Sequence, residues 1–217
     1  MNKWATLLIL VGLAGCMGTT ETVDLRYESF DWVVSDTVGS SFIMRDDNQI
    51  TQSYRCDFLT SSYDFETSSS FLIFGKKTVR NQSLYMEWNS SYNTLFSMRL
   101  DAVADPYGDA ITVTLNDLSF TCDLGKEEVI KVATKFGSIE KAASNGSYVS
   151  TEPLLSEVEF LETITAGTIT YDEGGMHLAL KDFESQWGPY TITDIYIARV
   201  AGLVKFTLSN GVEFVRL

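Results

Sequence analysis

Alternation of apolar and polar residues with a period of two is the dominant pattern in this chain. Ile111, Val113 and Leu115 alternate with Thr112, Thr114 and Asn116. Leu84, Met86 and Trp88 alternate with Tyr85, Glu87 and Asn89, and Met176, Leu178 and Leu180 with His177, Ala179 and Lys181. Successive side chains of an extended chain point to opposite faces, so each run fits a strand buried on one face and wet on the other. Thr and aromatic residues enrich these runs, as a pleated, half-buried surface favours. Residues 203–208 and 212–217 flank Ser209-Asn210-Gly211, and Asn-Gly between alternating runs is a strong hairpin signal because both residues accept positive φ. Asp172-Glu173-Gly174-Gly175 reads as another hairpin turn, and residues 105–109 as a further turn. The fold class expected is mainly β, an antiparallel barrel or sandwich.

One stretch departs from this pattern. Between 126 and 143, Val129, Val132, Ala133, Phe136, Ile139 and Ala143 recur at spacings of three and four, which predicts an amphipathic helix. Asp123 is placed to cap its N-terminus, and Glu127 and Glu128 suit its first turn. Residues 60–70, rich in Ser and Thr around Tyr63 and Phe65, read as a polar hairpin or surface loop. A short echo links residues 111–118 to 176–183, each an alternating strand followed by Asp and an apolar residue. Two amphipathic strands produce such a likeness by themselves. Taken as a repeat, it would divide the chain into two β units meeting near residues 126–150.

The 217 residues carry 16 Lys and Arg against 29 Asp and Glu, a formal net charge of −13. A nucleic-acid surface needs clustered Lys and Arg, so no nucleic-acid partner is expected. The single His leaves no multi-His metal centre and only His177 for a Ser-His-Asp arrangement.

Location is the clearest reading. Lys3 precedes an apolar run from Trp4 to Val11, too short to cross a bilayer and matched to a secretory signal. The signal ends in Leu13-Ala14-Gly15-Cys16, which resembles the lipobox of bacterial lipoproteins. The resemblance implies cleavage before Cys16, a diacylglyceryl thioether on its sulfur and often an acylated amine, with palmitate among the usual chains. Two or more chains anchor firmly where one binds marginally. Met17 stands where Asp would signal inner-membrane retention, so the resemblance implies the outer membrane of a two-membrane bacterium, on its periplasmic side or surface. The division expected is a signal at 1–15, a lipidated N-terminus and polar tether at 16–24, and a β-rich envelope domain at 25–217.

Export implies an oxidising compartment, which makes Cys56 and Cys122 disulfide candidates, with two separate buried thiols as the alternative. The stretch from Gly175 to Phe183 and on through residues 190–195 also resembles calycin-like, lipocalin-type barrels of envelope lipoproteins. The Gly-x-Trp of that family is absent; Phe30-Asp31-Trp32 stands in its place.

Catalytic motifs do not stand out. The chain has no Gly-x-Ser-x-Gly elbow, Walker loop, Gly-x-Gly-x-x-Gly or His-Glu-x-x-His, and neither a cofactor nor a metal is expected. Asp46-Asp47-Asn48 and residues 105–109 offer oxygen ligands, without the spacing of a calcium loop. The aromatic turn Trp187-Gly188-Pro189-Tyr190 is the candidate binding rim. The expectation is therefore a lipid-anchored envelope protein that acts by binding a small apolar ligand, a glycan or an envelope protein. The alternative is an acid-pair hydrolase of glycosidase type.

Overall fold

The computed structural model describes residues 19–33, 37–70, 75–91, 95–102, 109–116, 118–134, 137–140, 157–179, 186–187 and 190–217. The signal segment, Cys16 and residues 105–108 lie outside them. In chain order the strands are β1 (Thr19–Val23), β2 (Ser41–Asp46), β3 (Thr51–Ser70), β4 (Gly75–Ser90), β5 (Leu95–Asp101), β6 (Ala110–Leu115), β7 (Leu118–Asp123), β8 (Glu128–Thr134) and β9 (Gly137–Glu140). They continue with β10 (Glu157–Leu161), β11 (Ile164–Ala166), β12 (Ile169–Tyr171), β13 (Gly175–Ala179), β14 (Gln186–Trp187), β15 (Tyr190–Ala198), β16 (Gly202–Leu208) and β17 (Glu213–Arg216). A 3-10 helix, Tyr27–Trp32, stands between β1 and β2.

Fifteen strands make one sheet, ordered β10-β13-β15-β16-β17-β2-β3-β4-β5-β6-β7-β8-β9, with β1 added to β4 and β14 to β15. Neighbours along that path are antiparallel; β1 joins β4 in parallel. The sheet curls into a half-barrel. Curling follows from the alternation: the apolar face of every strand must find apolar partners, and a twisted sheet of this width supplies them by bending over itself. Ile111, Val113 and Leu115 are fully buried in β6, as are Met98 and Leu100 in β5 and Ile195 and Ile197 in β15. Phe42 stacks on Tyr54, and Trp88 on Phe96, each at 5.0 Å between ring centroids, while Phe206 stacks on Phe214 at 4.7 Å. Side chains from both halves of the chain form one buried cluster on the concave side.

A smaller apolar cluster lies on the convex side. The β11–β12 hairpin sets Ile164 and Ala166 against Ala198 and Val204. Gly175 makes this fit: a Cβ there would meet the Ile197 carbonyl oxygen, the Ala198 Cα at 2.9 Å and Ile164 Cδ1 at 2.6 Å.

Several sequence expectations change. Residues 128–134 and 137–140 are strands β8 and β9, not a helix; residues 141–143 lie outside the described residues. The cause is a bulge. Thr121 pairs with Lys131 but Cys122 with Val129, so one extra residue sits in β8. Val129 and Val132, three apart, therefore stand opposite Cys122 and Phe120, two apart and both buried. A strand with a bulge thus reproduces helical spacing. Asp123 does cap amides, but those of a tight turn: its Oδ1 accepts from Gly125 N at 2.9 Å and Lys126 N at 3.0 Å.

The turn at 172–175 links β12 to β13, which pair with different partners, so it joins two sheets and closes no hairpin. Thr19–Val23, read as tether, is a paired strand. The two halves of the chain share one sheet, joined where β17 pairs with β2, and one core.

Candidate functional site

Register gives the half-barrel two ends. Strand β3 runs out at one of them, where the row Asp101, Ala110 and Asp123 also lies. At the same end β15 finishes at Ala198 and β16 begins at Gly202. The opposite end carries Asp46, Ser90, Leu95 and the Ser209-Asn210-Gly211 turn.

The 3-10 helix is strapped across the mouth at the end where β3 runs out. The Asp109 carboxylate, buried just before β6, accepts from Arg26 N at 2.7 Å and from the Ser29 hydroxyl. Val200 N, in the β15–β16 turn, donates to Asp31 O at 2.9 Å. Leu25 N donates to Gln82 Oε1 at 2.9 Å, and Trp32 meets Phe160 edge to face at 6.0 Å. Beneath the strap lies a pocket of about 220 Å³ lined by Arg26, Glu28, Ser29, Trp32, Asp109 and Arg199, among others. The Arg199 guanidinium lies over the Trp32 ring at 5.2 Å. Charges of both signs with one aromatic wall suit a small polar group rather than a lipid chain. The sequence offers Asp109 as a turn acid and an oxygen ligand but not as the anchor of the strap, because its partners stand some 80 residues away along the chain.

A second polar group crosses the convex face. Glu159, His177, Tyr196 and Lys205 occupy one register row on β10, β13, β15 and β16. His177 Nε2 lies 2.9 Å from Asp194 Oδ1, and its ring stacks on Tyr196 at 4.2 Å between centroids. Lys205 Nζ bridges to Glu213 at 2.8 Å and sits 5.1 Å from the Tyr196 ring. Burial pushes the Tyr196 phenol above its usual value. The Thr193 hydroxyl donates to Asp194 Oδ2 at 2.9 Å. Asp194 thus bridges the His177 imidazole and the Thr193 hydroxyl.

The acids gathered on adjacent strands are likewise tied to a cation. Arg99 donates from Nε to Asp101 at 2.7 Å and from Nη2 to Asp64 at 2.6 Å, while Ser83 Oγ donates to Asp101 at 2.7 Å. The guanidinium proton is held more tightly than usual, chiefly by the hydrogen bond to Asp101. Asp64 and Asp101 thus share one guanidinium. Asp46, proposed as an oxygen donor, instead accepts from Ile50 N at 2.7 Å and shapes its own turn.

Trp187 pairs with Tyr190 across β14 and β15, at the end of the Ser209-Asn210-Gly211 turn. The Tyr190 ring is exposed; the Trp187 side chain lies outside the described residues. Cys56 and Cys122 are both buried in the same core, with no disulfide between them. Three strands separate β3 from β7, and Cys56 stands opposite Trp88 while Cys122 stands opposite Ile111. Burial, with Asp123 adding to it, pushes the Cys122 thiol up to about 12. Cys56 Sγ lies 3.7 Å from the Phe58 carbonyl oxygen.

These features define a class by architecture: an antiparallel half-barrel with a filled concave side and a strapped mouth. No family model matches the chain, and neither a curated protein nor a solved structure matches it.

Proposed function

We propose that this chain is a lipid-anchored protein of the bacterial cell envelope that acts by binding through its surface. The observation that carries the reading is Leu13-Ala14-Gly15-Cys16 directly after a charged and apolar leader. Packing of the concave side by residues such as Trp88, Phe120 and Phe206 favours a glycan or an envelope protein as partner over an enclosed apolar ligand. The Trp187–Tyr190 hairpin offers an aromatic rim for it. The absence of Asp after Cys16 supports the outer membrane as the site.

Intact mass spectrometry of the protein from an envelope fraction tests the reading. The expected product begins at Cys16 and carries diacylglyceryl mass there. An unmodified Cys16, or a retained leader, overturns the anchor. Native mass spectrometry of the same material should show no stoichiometric lipid beyond the covalent chains; a retained lipid would restore an enclosed-ligand function.

A further inference from the structure

Four stretches of chain meet at the strapped mouth: the 3-10 helix, the residue before β6, the β7–β8 turn and the β15–β16 turn. They leave a pocket of about 220 Å³. That is roughly the room of seven waters at about 30 Å³ each, and less than the roughly 300–1,000 Å³ of a drug-sized cleft. The size calls for a small molecule. The walls are tied to one another by the fold itself. Leu124 N donates to Asp109 O at 2.8 Å, and Val200 N to Asp31 O at 2.9 Å. The pocket therefore stands ready without an ordering cost at the moment of binding.

The charges around it divide by how far the fold uses them. Asp109 is buried, and its Oδ2 accepts from Arg26 N and the Ser29 hydroxyl. Arg199 is different. Its Nη1 lies 4.0 Å from Asp31 Oδ2, beyond hydrogen-bond reach, and its Nε is buried with no hydrogen-bond partner among the described residues. The guanidinium lies over the buried Trp32 ring at 5.2 Å, which orients the fork without occupying its donors. A buried donor without an acceptor costs stability, and a ligand oxygen recovers that loss. With Nη1 toward Asp31, the remaining edge is Nε with Nη2, and this edge matches the two oxygens of a carboxylate. The side chain is 37% exposed, so solutes reach it from solvent. Charge balance narrows the class. Arg26 and Arg199 line the pocket together with Glu28 and Asp109, two residues of each sign. A simple anion gains little in such a field, whereas a molecule carrying both signs meets both.

We propose that the strapped mouth binds a small zwitterion of the amino-acid class, its carboxylate on the Nε–Nη2 edge of Arg199 and its ammonium toward Glu28. This site goes beyond the partner binding assigned to the Trp187–Tyr190 rim, which lies at the other end of the half-barrel, and it stands whether or not Cys16 is acylated. Its walls come from the strap and from both halves of the chain, so an occupied pocket holds the 3-10 helix against the start of β6 and the β15–β16 turn.

The test uses the mature chain in nonionic detergent, titrated with racemic alanine, propionate and alaninamide. Saturation-transfer NMR follows the ligand and hydrogen exchange follows the protein. Alanine carries both charges, propionate only the carboxylate and alaninamide only the cation. Alanine should bind several-fold more tightly than either, and should slow exchange of residues 26–33 while leaving that of β6 unchanged. Arg199→Lys keeps the charge but loses the fork, and should weaken alanine about tenfold. Glu28→Gln, a change at an exposed residue, should weaken alanine several-fold and leave propionate as it was. Unchanged exchange in β5 and β6 shows that a variant is folded. If Arg199→Lys loses that protection, the Glu28→Gln comparison and the three ligands on the natural chain decide. Alanine that does not saturate overturns the proposal, as does propionate or alaninamide that binds as tightly as alanine. A folded Arg199→Lys chain that keeps the natural affinity for alanine overturns it too.

Discussion

At the scale of single residues, close approach and burial decide more than exposed chemistry does. Gly175 and Gly211 illustrate two different needs for glycine. At Gly211 φ is +84° and nothing lies within 4 Å of an added Cβ, so alanine meets only backbone strain. At Gly175 the backbone of β15 and the Ile164 methyl occupy the space itself. Gly175→Ala should therefore lower stability by about 1–3 kcal/mol or more, against about 1 kcal/mol for Gly211→Ala. Urea midpoints of the two variants measure the difference, and equal midpoints would contradict the contact. Both glycines were visible as turn residues in the sequence. Only the packed β11–β12 hairpin shows that one of them is a steric requirement.

Cys122 gives a pH dependence. In the fold its thiol keeps a proton until about pH 12, whereas in the unfolded chain it ionises from about pH 9. Its contribution to stability is thus complete below pH 9 and is lost as pH rises from about 9 to about 12, by up to roughly 1.4 kcal/mol per pH unit. Cys122→Ala should flatten the fall in urea midpoint between pH 8.5 and 10.5 relative to the natural chain, which controls for other groups titrating there. Alkylation without reductant should label neither thiol in the native state and both after unfolding. A blocked pair after unfolding would reinstate the disulfide that export predicts.

At the scale of elements, alternation translated directly into strands wherever the ladder was regular. β6, β16 and the Asn-Gly turn fall where the sequence places them, because a single buried face fixes both register and period. It failed at β8, where one bulged residue converts spacing two into spacing three. It also could not show the strap, whose closure depends on one carboxylate reached from far along the chain. Asp109→Ala would leave the Ser29 hydroxyl and the Arg26 amide without their acceptor, at a cost of about 1–3 kcal/mol. The expected signature is local. Amides of residues 26–33 should exchange faster with solvent, while those of β5 and β6 keep their protection. Loss of protection throughout the sheet would mean that the strap is part of the folding core instead.

At the scale of the whole molecule, the decisive fact is that the chain's last strand pairs with its first body strand. β17 lies between β16 and β2, so the C-terminal strands extend the N-terminal sheet and do not form a sheet of their own. Nothing in the local pattern reveals this, since pairing partners of two strands some 170 residues apart leave no periodic trace. The consequence is energetic. Ile195 and Ile197 share one buried cluster with Met98, Ile111 and Phe120, so apolar area lost in either half weakens a common core. Ile195→Ala should cost about 2–5 kcal/mol. If opening is global, the slowest-exchanging amides of β5, β6 and β7 should lose the same free energy as those of β15 and β16, although none of the former strands pairs with β15. Hydrogen exchange resolved by peptide measures both at once. A loss confined to β13, β15 and β16 would show two independently opening units, and would support the two-part division that the echo between residues 111–118 and 176–183 raised.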